Sequence, residues 1–467
     1  MPILKKNTGL YTDHYELTMA QGYLLSGKQD VQAGFDYFFR KNPYDGGFVI
    51  FAGLQNLLDV IKNYKFDSDD CKYLESVGFQ KPFINYLKDF SFKGNIYSVR
   101  EGEVVFPNEP VLRVEGNLIE TQLIESLLLN IINFQSLIAT KAARMRLVAD
   151  DRQLVDFGLR RAQGLGAIHA SRAAMIGGFN SSSNVLSARL YNFDSSGTMA
   201  HSWVQTFNDE LDAFQEFVKL YPDHSVLLVD TYDTLNQGIP NAIKVAKQLE
   251  ENGNKLVGIR LDSGDLASLS KSARKQLDSE GLDYVKIIVS NQLDEYLIRS
   301  LREQKAPVDG FGVGTSLVIG KGSGALDGVY KLSYVNNRPT MKVSENMAKM
   351  TLPGKKNIYR FTEPDGTFAF DGIELLNAKI PERIFYPKQM SHYNIGDMEF
   401  EELLVKVMEN GNNIANPIGV KEIARFCKSR LSQLKPESKR FENPHIFMVG
   451  LGDELKNLQE KLKKEIL

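Results

Sequence analysis

"NKLVGIRLDSGD" (residues 254–265) decides the fold, read together with "SVLLVDTYDT" (225–234) upstream of it. In each, a short apolar run closes on aspartates and a helix-forming stretch follows. The theme returns in "VKIIVSNQLD" (285–294) and "DGFGVGTSLV" (309–318). From Asp230 to Asp262 is 32 positions, from there to Asn291 is 29, and on to Gly314 is 23. Each gap fits one strand, one helix and their connections, the unit of right-handed parallel sheets and barrels. Between them, "NAIKVAKQLEEN" (241–252) places Ile243, Ala246 and Leu249 on one helical face, with Gly253 to close it. "DLASLSKSARKQLDSEG" (265–281) opens on an aspartate cap and ends at Gly281. Upstream, "RQLVDFGLRR" (152–161) and "GTMAHS" (197–202) fit the same strand-then-polar pattern, which predicts six strand ends rich in reactive groups. In barrels such ends gather at one face and hold the active site.

The flanks differ. Up to about residue 115 the chain mixes strand-like aromatic runs, "GFDYFFR" (34–40) and "GFVIFAG" (47–53), with a helical run around Leu54 to Tyr64. "GNIYSVREGEVVFPNEPVLRVEG" (94–116) alternates like a small β layer with a Pro-Asn-Glu-Pro turn. After about residue 340 come a hairpin turning on Asp-Gly, "NIYRFTEPDGTFAFDG" (357–372), and a solvated amphipathic helix, "DELKNLQEKLKKEIL" (453–467).

A chain of 467 residues, 43% hydrophobic and 24% charged, can build two or three sizeable cores. A net charge of -2 provides no general basic field for nucleic acid. Cys71 and Cys427 lie far apart without zinc-site spacing, which fits free thiols in a reducing compartment. The start, "MPILKKNTGLYTDHYELTMAQGY", has lysines but no apolar stretch behind them, so it is not read as a secretory signal. "LIESLLLNIINFQSLIAT" (123–140) is broken by Glu125, Asn130, Asn133 and Gln135, which predicts a buried helix and not a membrane span. These features together predict a soluble, intracellular protein.

Several stretches carry groups that do chemistry. In "GFGVGTS" (310–316), Gly310, Gly312 and Gly314 beside Thr315 offer either N–H groups for a phosphate or a tight turn. In "RLDSGD" (260–265), Arg260 suits an anion, while Asp262 suits ribose hydroxyls or a cation; the alternative is a turn capping the next helix. "VDTYD" (229–233) adds carboxylates at a neighbouring strand end. "DFGLRRAQG" (156–164) sets Arg160 and Arg161 after Phe157, and one arginine can serve a structural salt bridge. "GGFNSSSN" (177–184) and "GKGSGALDG" (320–328) read as loops. "YTDHYELTMAQGY" (11–23) reads as a helix with Tyr15 and Met19 on one face and Asp13 as its cap. "GTMAHSW" (197–203) holds one of six histidines and the single tryptophan; His201 is either a satisfied structural histidine or a side chain that reacts. The sum is a site for a polyanion and a sugar, where a neutral imidazole can attack a phosphoryl group.

Taken in order, "LYTDHYELTMAQGY", "DFGLRRAQG", "GGFNSSSNVL", "GTMAHSWV", "VDTYDT", "GIRLDSGDL" and "GVGTSLV" resemble the nicotinate phosphoribosyltransferases, nearly end to end. The resemblance implies the type II phosphoribosyltransferase fold, an irregular α/β barrel plus a β-rich α/β domain formed by both chain ends. The expected division is 1–115 and 341–467 for the β-rich domain around a barrel at 116–340. It implies a cytoplasmic homodimer with shared sites, binding neither nucleic acid nor membrane, that joins nicotinate to 5-phosphoribosyl-1-diphosphate in NAD biosynthesis. Mg²⁺ and coupled ATP hydrolysis are expected, with no direct protein ligand assigned to the metal. By the same resemblance His201 is the histidine phosphorylated from ATP and Asp230 the carboxylate that orients it. Phe157 and Tyr15 of the other subunit would sandwich the pyridine, with Arg260 at its carboxylate or the ribose. Asp262 would hold the ribose, and Arg160, Gly312, Gly314 and Thr315 the phosphates. Nicotinamide-using relatives carry an aspartate where this chain has Ser183, and a serine there favours the acid. The competing readings are a nicotinamide- or quinolinate-using enzyme of the same fold, a catalytically silent sugar-phosphate binder, and a metal-dependent barrel aldolase or isomerase. Quinolinate lacks a second basic cluster here, and the aldolase reading lacks a ligand cluster or a Schiff-base lysine.

Overall fold

The computed structural model describes residues 8–343 and 350–466; the lysines of the start (residues 5 and 6) lie outside the described residues. The chain divides into two compact units, one of Met1–Thr140, Gly322–Ile418 and Glu422–Leu467, the other of Lys141–Lys321 with Gly419–Lys421.

The first unit is the β-rich one and draws on both ends of the chain. Its larger sheet has seven strands in the order 338–339, 328–335, 32–39, 112–117, 95–98, 405–409 and 412–413, every neighbour antiparallel. The strand Gln32–Phe39 is central and all but its first residue is buried, so its run of aromatics packs on both faces. Phe35 stacks on Tyr330 across the ladder at 4.7 Å. A six-stranded second sheet is built from residues beyond 355, and the Asp-Gly hairpin pairs Lys356–Thr362 with Phe368–Leu375 around Gly366 at φ +80°. The apolar run from Leu123 lies in the helices Leu118–Leu123 and Glu125–Ala149; Leu127, Leu128, Ile131 and Ile132 sit in the core of this unit. No helix among the described residues is long and apolar enough to cross a membrane.

The second unit is a parallel sheet. Its strands are β1 (Gln153–Asp156), β2 (Ser181–Ser182), β3 (Val226–Leu228), β4 (Gly258–Leu261), β5 (Lys286–Ser290) and β6 (Gly310–Val313). They lie in the order β2-β1-β6-β5-β4-β3, all parallel. The first strand therefore pairs with the last, as closure of a barrel requires, and a parallel bridge from Ser182 to Ser195 continues the ring beyond β2. Among the described residues no ladder joins the Ser195 segment to β3, and this seam makes the barrel irregular.

The connecting helices keep the capping expected of them. Asp265 accepts from the N–H groups of Ala267 and Ser268 at the start of Leu266–Ser279, and Gly281 follows its end at φ +76°. Ile239–Glu251 buries Val245, Ala246 and Leu249, with Ile243 half-buried beside them. Two segments depart from the sequence reading. "GTMAHS" forms no strand: Ser195 makes a single bridge, Gly197–Ala200 are irregular, and His201 opens the helix His201–Gln205. Its apolar part is too short to fill a place in the ring. The sixth strand is instead Ser181–Ser182, inside the stretch read as a loop. Both serines are buried, and the Ser182 hydroxyl donates to Asp156, so polar side chains stand where strand reading depends on an apolar pattern.

Candidate active site

Because every strand of the ring runs the same way, their C-terminal ends deliver side chains to one face. Phe157 leaves β1, Ser183 leaves β2, Asp230 and Thr231 follow β3, and Asp262 leaves β4; Ser290 ends β5, while Gly314 and Thr315 follow β6. The structure thus brings the sequence candidates of this unit to a common edge.

His201 meets Thr231, with Nδ1 3.1 Å from the threonine Oγ1, while Nε2 stands 3.9 Å from Asp262 Oδ2. Asp230 does other work: its Oδ2 accepts from the Asp262 N–H at 2.8 Å and from Ser263 Oγ at 2.6 Å, so it clamps the exit turn of β4. Its other oxygen, Oδ1, is buried and has no hydrogen-bond partner among the described residues. The group expected to orient the imidazole is therefore displaced by one residue, from Asp230 to Thr231. Asp230 is taken up by the exit turn of β4, and Thr231, in the bend that follows β3, is the residue that meets the ring. Asp262 Oδ1 accepts from Ser290 Oγ at 2.5 Å, which leaves Oδ2 facing the imidazole.

Arg260 is half-buried, and one end of its guanidinium donates to the Met199 carbonyl at 3.0 Å. Its Nε is buried without a partner among the described residues, and its guanidinium lies 5.9 Å from the Phe157 ring centre. Burial pulls its pKa down, against the nearby Asp262 and Asp230, and Arg160 adds to the lowering. A desolvated cation with a spare donor is a site for an anion.

Gly312 lies inside β6, paired on both sides with β1 and β5, so its amide belongs to the sheet and not to a loop. What its missing side chain provides is room: a Cβ there would stand 2.3 Å from the Phe157 ring. Gly314 and Thr315 come after the strand, and Thr315 is exposed. Arg160 and Arg161 are exposed on the turn after β1, closed by the Arg161 N–H on the Gly158 carbonyl at 2.8 Å.

The two ends of the chain match the family model of the nicotinate phosphoribosyltransferase (NAPRTase) N-terminal domain at residues 10–133 and that of its C-terminal domain at 355–459. The nicotinate phosphoribosyltransferase of Bacillus subtilis is 41% identical over 460 residues, covering 95% of this chain and 93% of that protein. The chain belongs to the nicotinate phosphoribosyltransferase family. The crystal structure of the human nicotinic acid phosphoribosyltransferase superposes with a TM-score of 0.85 at 31% identity, covering 97% of this chain and 99% of that one. A nicotinate-nucleotide pyrophosphorylase from Pyrococcus furiosus, 24% identical, shares the fold at a TM-score of 0.73 over 92% of this chain and 96% of its own.

The family motif at the start of the chain, "LYTDHYELTMAQGY", belongs to the β-rich unit. The helix His14–Leu25 turns Glu16, Leu17 and Ala20 inward and leaves Tyr15 exposed. Asp13 holds the N-cap position without capping; its carboxylate instead accepts from Ser126 Oγ at 2.8 Å. Glu16 is completely buried and accepts from the Ser126 N–H at 2.9 Å, from its hydroxyl at 2.5 Å, and from Thr12. Burial pushes the Glu16 carboxyl up to about 7, opposed by the hydrogen bonds from Ser126 and Thr12. A folded-state pKa above the unfolded value means that the folded chain holds this proton longer, so stability falls as pH rises from about 4.5 to about 7. Glu16→Gln imitates the protonated acid. Its stability relative to the parent should therefore rise by about 2 kcal/mol between pH 5 and pH 8, read by urea unfolding. A pH-independent difference would show that Glu16 is ionised throughout.

Among the described residues no group of three or more His, Cys, Asp or Glu side chains could hold a metal. Asp262 is a barrel-edge carboxylate that could lend one oxygen to a cation. Sequence reading marks Ser290 only as a strand end and gives no site role to it, to Thr231 or to Ser263. All three lie within or beside quoted stretches, but hydroxyls carry no charge to mark them.

Proposed function

We propose that the chain transfers the phosphoribosyl group of 5-phosphoribosyl-1-diphosphate to nicotinate, giving nicotinate mononucleotide and pyrophosphate for NAD biosynthesis, coupled to ATP cleavage through His201. The observation that carries the reading is Arg260: a desolvated guanidinium with a buried, unpartnered Nε beside an aromatic ring and a carboxylate-bearing turn. A flat pyridine carboxylate answers the ring and the cation together. The pyridine nitrogen attacks the anomeric carbon with its own lone pair as the C–O bond to diphosphate breaks, and the leaving group takes that bond's electrons. No base is needed. Arg260, Arg160, Gly314 and Thr315 clamp anionic groups, Asp262 accepts from ribose hydroxyls, and Mg²⁺ neutralises diphosphate charge when bound. Ser183 at the exit of β2 favours a carboxylate over an amide, since an aspartate there would repel it. With its proton on Nδ1 facing Thr231, His201 attacks the γ-phosphorus of ATP through the Nε2 lone pair. The bond from that phosphorus to the bridging oxygen breaks and its electrons leave with ADP; water then cleaves the P–N bond and releases phosphate. Tyr15, exposed on the β-rich unit, fits a ring-stacking role in a second subunit, and the protein is then a cytoplasmic homodimer.

The test is one assay of purified protein with nicotinate, phosphoribosyl diphosphate, Mg²⁺ and labelled ATP, following mononucleotide and acid-labile, base-stable label on the protein together. Product with label supports the whole reading. Product without label keeps the transferase and removes the phosphohistidine. Preference for nicotinamide would overturn the substrate assignment. For Asp262→Ala, loss of ribose contacts and of the Ser290 bond should weaken donor binding by about 10–100-fold at little cost to nicotinate affinity. Unchanged donor affinity, by equilibrium binding, would return "LDSGD" to a simple turn.

A further inference from the structure

The Phe157 shelf and the Ser183 loop share one support. Asp156, the last residue of β1, is fully buried and accepts three hydrogen bonds, each of 2.7 Å, with no cation among the donors. Oδ1 takes the Gly158 N–H, which fixes the turn carrying Phe157. Oδ2 takes the hydroxyls of Ser182, on β2, and of Ser171, on the helix Gly164–Ile176. The Asp156 carbonyl accepts from the Ser183 N–H at 2.8 Å. Behind these, Asn184 donates its N–H to Ser182 Oγ at 3.0 Å and its side-chain amide to Ser171 Oγ at 3.2 Å, and it is itself buried. One residue thus ties the aromatic face on one strand exit to the small hydroxyl on the next.

We propose that Asp156 is a positioning residue that sets the spacing between Phe157 and Ser183, and through it the discrimination of pyridine carboxylate from pyridine carboxamide. This rests on the roles proposed above for Phe157 and Ser183. The physical case is that a buried carboxylate without a cation is costly, and a helix cap or turn would need only one of these bonds. Apolar residues at 156, 171 and 182 would pack the same space without that cost. They could not, however, fix two strand exits to within a few tenths of an ångström. The acceptor has to be anionic or at least doubly accepting on Oδ2, since both serines donate to it. An asparagine cannot meet all three donors: its one carbonyl oxygen faces either the two serines or the Gly158 N–H, and its N–H₂ opposes whichever donor is left.

The experiment compares Asp156→Asn, Ser182→Ala and Asn184→Ala with the parent chain in steady-state kinetics on nicotinate and on nicotinamide, with thermal melting as a control on folding. Asp156→Asn and Ser182→Ala are expected to raise KM for nicotinate about tenfold or more, and to lower the nicotinate-to-nicotinamide ratio of kcat/KM by a similar factor. KM for the phosphoribosyl donor should change by a smaller factor than KM for nicotinate, because Asp262, Gly314 and Thr315 lie at the exits of other strands and only Arg160 shares the turn after β1. Asn184→Ala, which loosens the support from behind, should fall between. If Asp156→Asn fails to fold, Ser182→Ala carries the test alone. Folded Ser182→Ala and Asn184→Ala with parental nicotinate KM and parental ratio would overturn the proposal and leave Asp156 a structural anchor. A parent chain that turns over neither pyridine would instead overturn the functional reading, a distinct result.

Discussion

His201→Ala is expected to bring the ATP-stimulated rate down to the rate without ATP, with transfer itself persisting slowly. The side chain is half-exposed at the start of a short helix, with one nitrogen on Thr231 and the other 3.9 Å from a carboxylate it does not bond. Nε2 of this partly exposed side chain has no hydrogen bond to protein among the described residues, which leaves it accessible to a ligand. The arrangement suits a nucleophile whose second nitrogen is held and whose first is left open. In the proposed mechanism the chemistry at the anomeric carbon uses other groups, so removing the imidazole should leave the transfer step assembled. What is lost is the coupling between ATP cleavage and the state of the site. Coupling free energies between ligands run about 1–3 kcal/mol, which predicts a fall of about 5–150-fold in the stimulated rate. Acid-labile protein label should vanish entirely. Thr231→Val should be milder, since the ring keeps its nucleophilic atom but loses the bond that orients it. Full label in His201→Ala would place the phosphoryl group elsewhere and return His201 to a structural role.

How far the sequence shows this arrangement depends on what kind of residue carries it. The strands β1, β3, β4, β5 and β6 are legible because apolar runs end in polar residues or glycine at βα spacing. Asp265 and Gly281 are legible as helix punctuation because their side-chain and φ requirements are local. β2 is hidden: two buried serines, with the Ser182 hydroxyl bonded to Asp156, leave no apolar trace. "GTMAHS" misleads in the opposite direction, since irregular backbone and a strand end have similar composition. For the site, Arg260, Asp262 and Phe157 are visible as types, but their partners are not. The order Asp230-Thr231 does not reveal which of two neighbours faces His201, because that is decided by the direction of the chain as it leaves β3. Asp156 is the clearest case. In sequence it is one more acid in "DFG", and only the fold shows three donors converging on it.

Gly312→Ala separates two jobs that the sequence leaves superposed on one glycine. The residue lies mid-strand with β1 and β5 on either side, and its φ is not in the left-handed region, so the backbone accepts alanine and keeps its N–H. Space is what alanine lacks. The new Cβ would stand 2.3 Å from Phe157 Cε2, 2.5 Å from Cδ2 and 3.2 Å from Ser290 Cβ, against ordinary carbon contacts of about 3.5–4.0 Å. The ring has to move by more than about 1 Å. Its backbone cannot retreat, because the Phe157 N–H is bonded to the Val313 carbonyl at 2.8 Å. Overpacking of this kind costs about 1–3 kcal/mol of stability, and a binding face displaced by an ångström costs about 100-fold in rate. The expected result is a nicotinate kcat/KM lowered by about 100-fold with donor KM near the parental value. A role for Gly312 in phosphate binding gives the reverse pattern, a donor defect with nicotinate KM intact. The double variant Phe157→Leu with Gly312→Ala discriminates further. With the ring gone the added methyl has room, so its cost should shrink to a small fraction of that in the parent background. If the two substitutions instead add, the glycine and the ring act independently, and the shelf is not what Gly312 is there to admit.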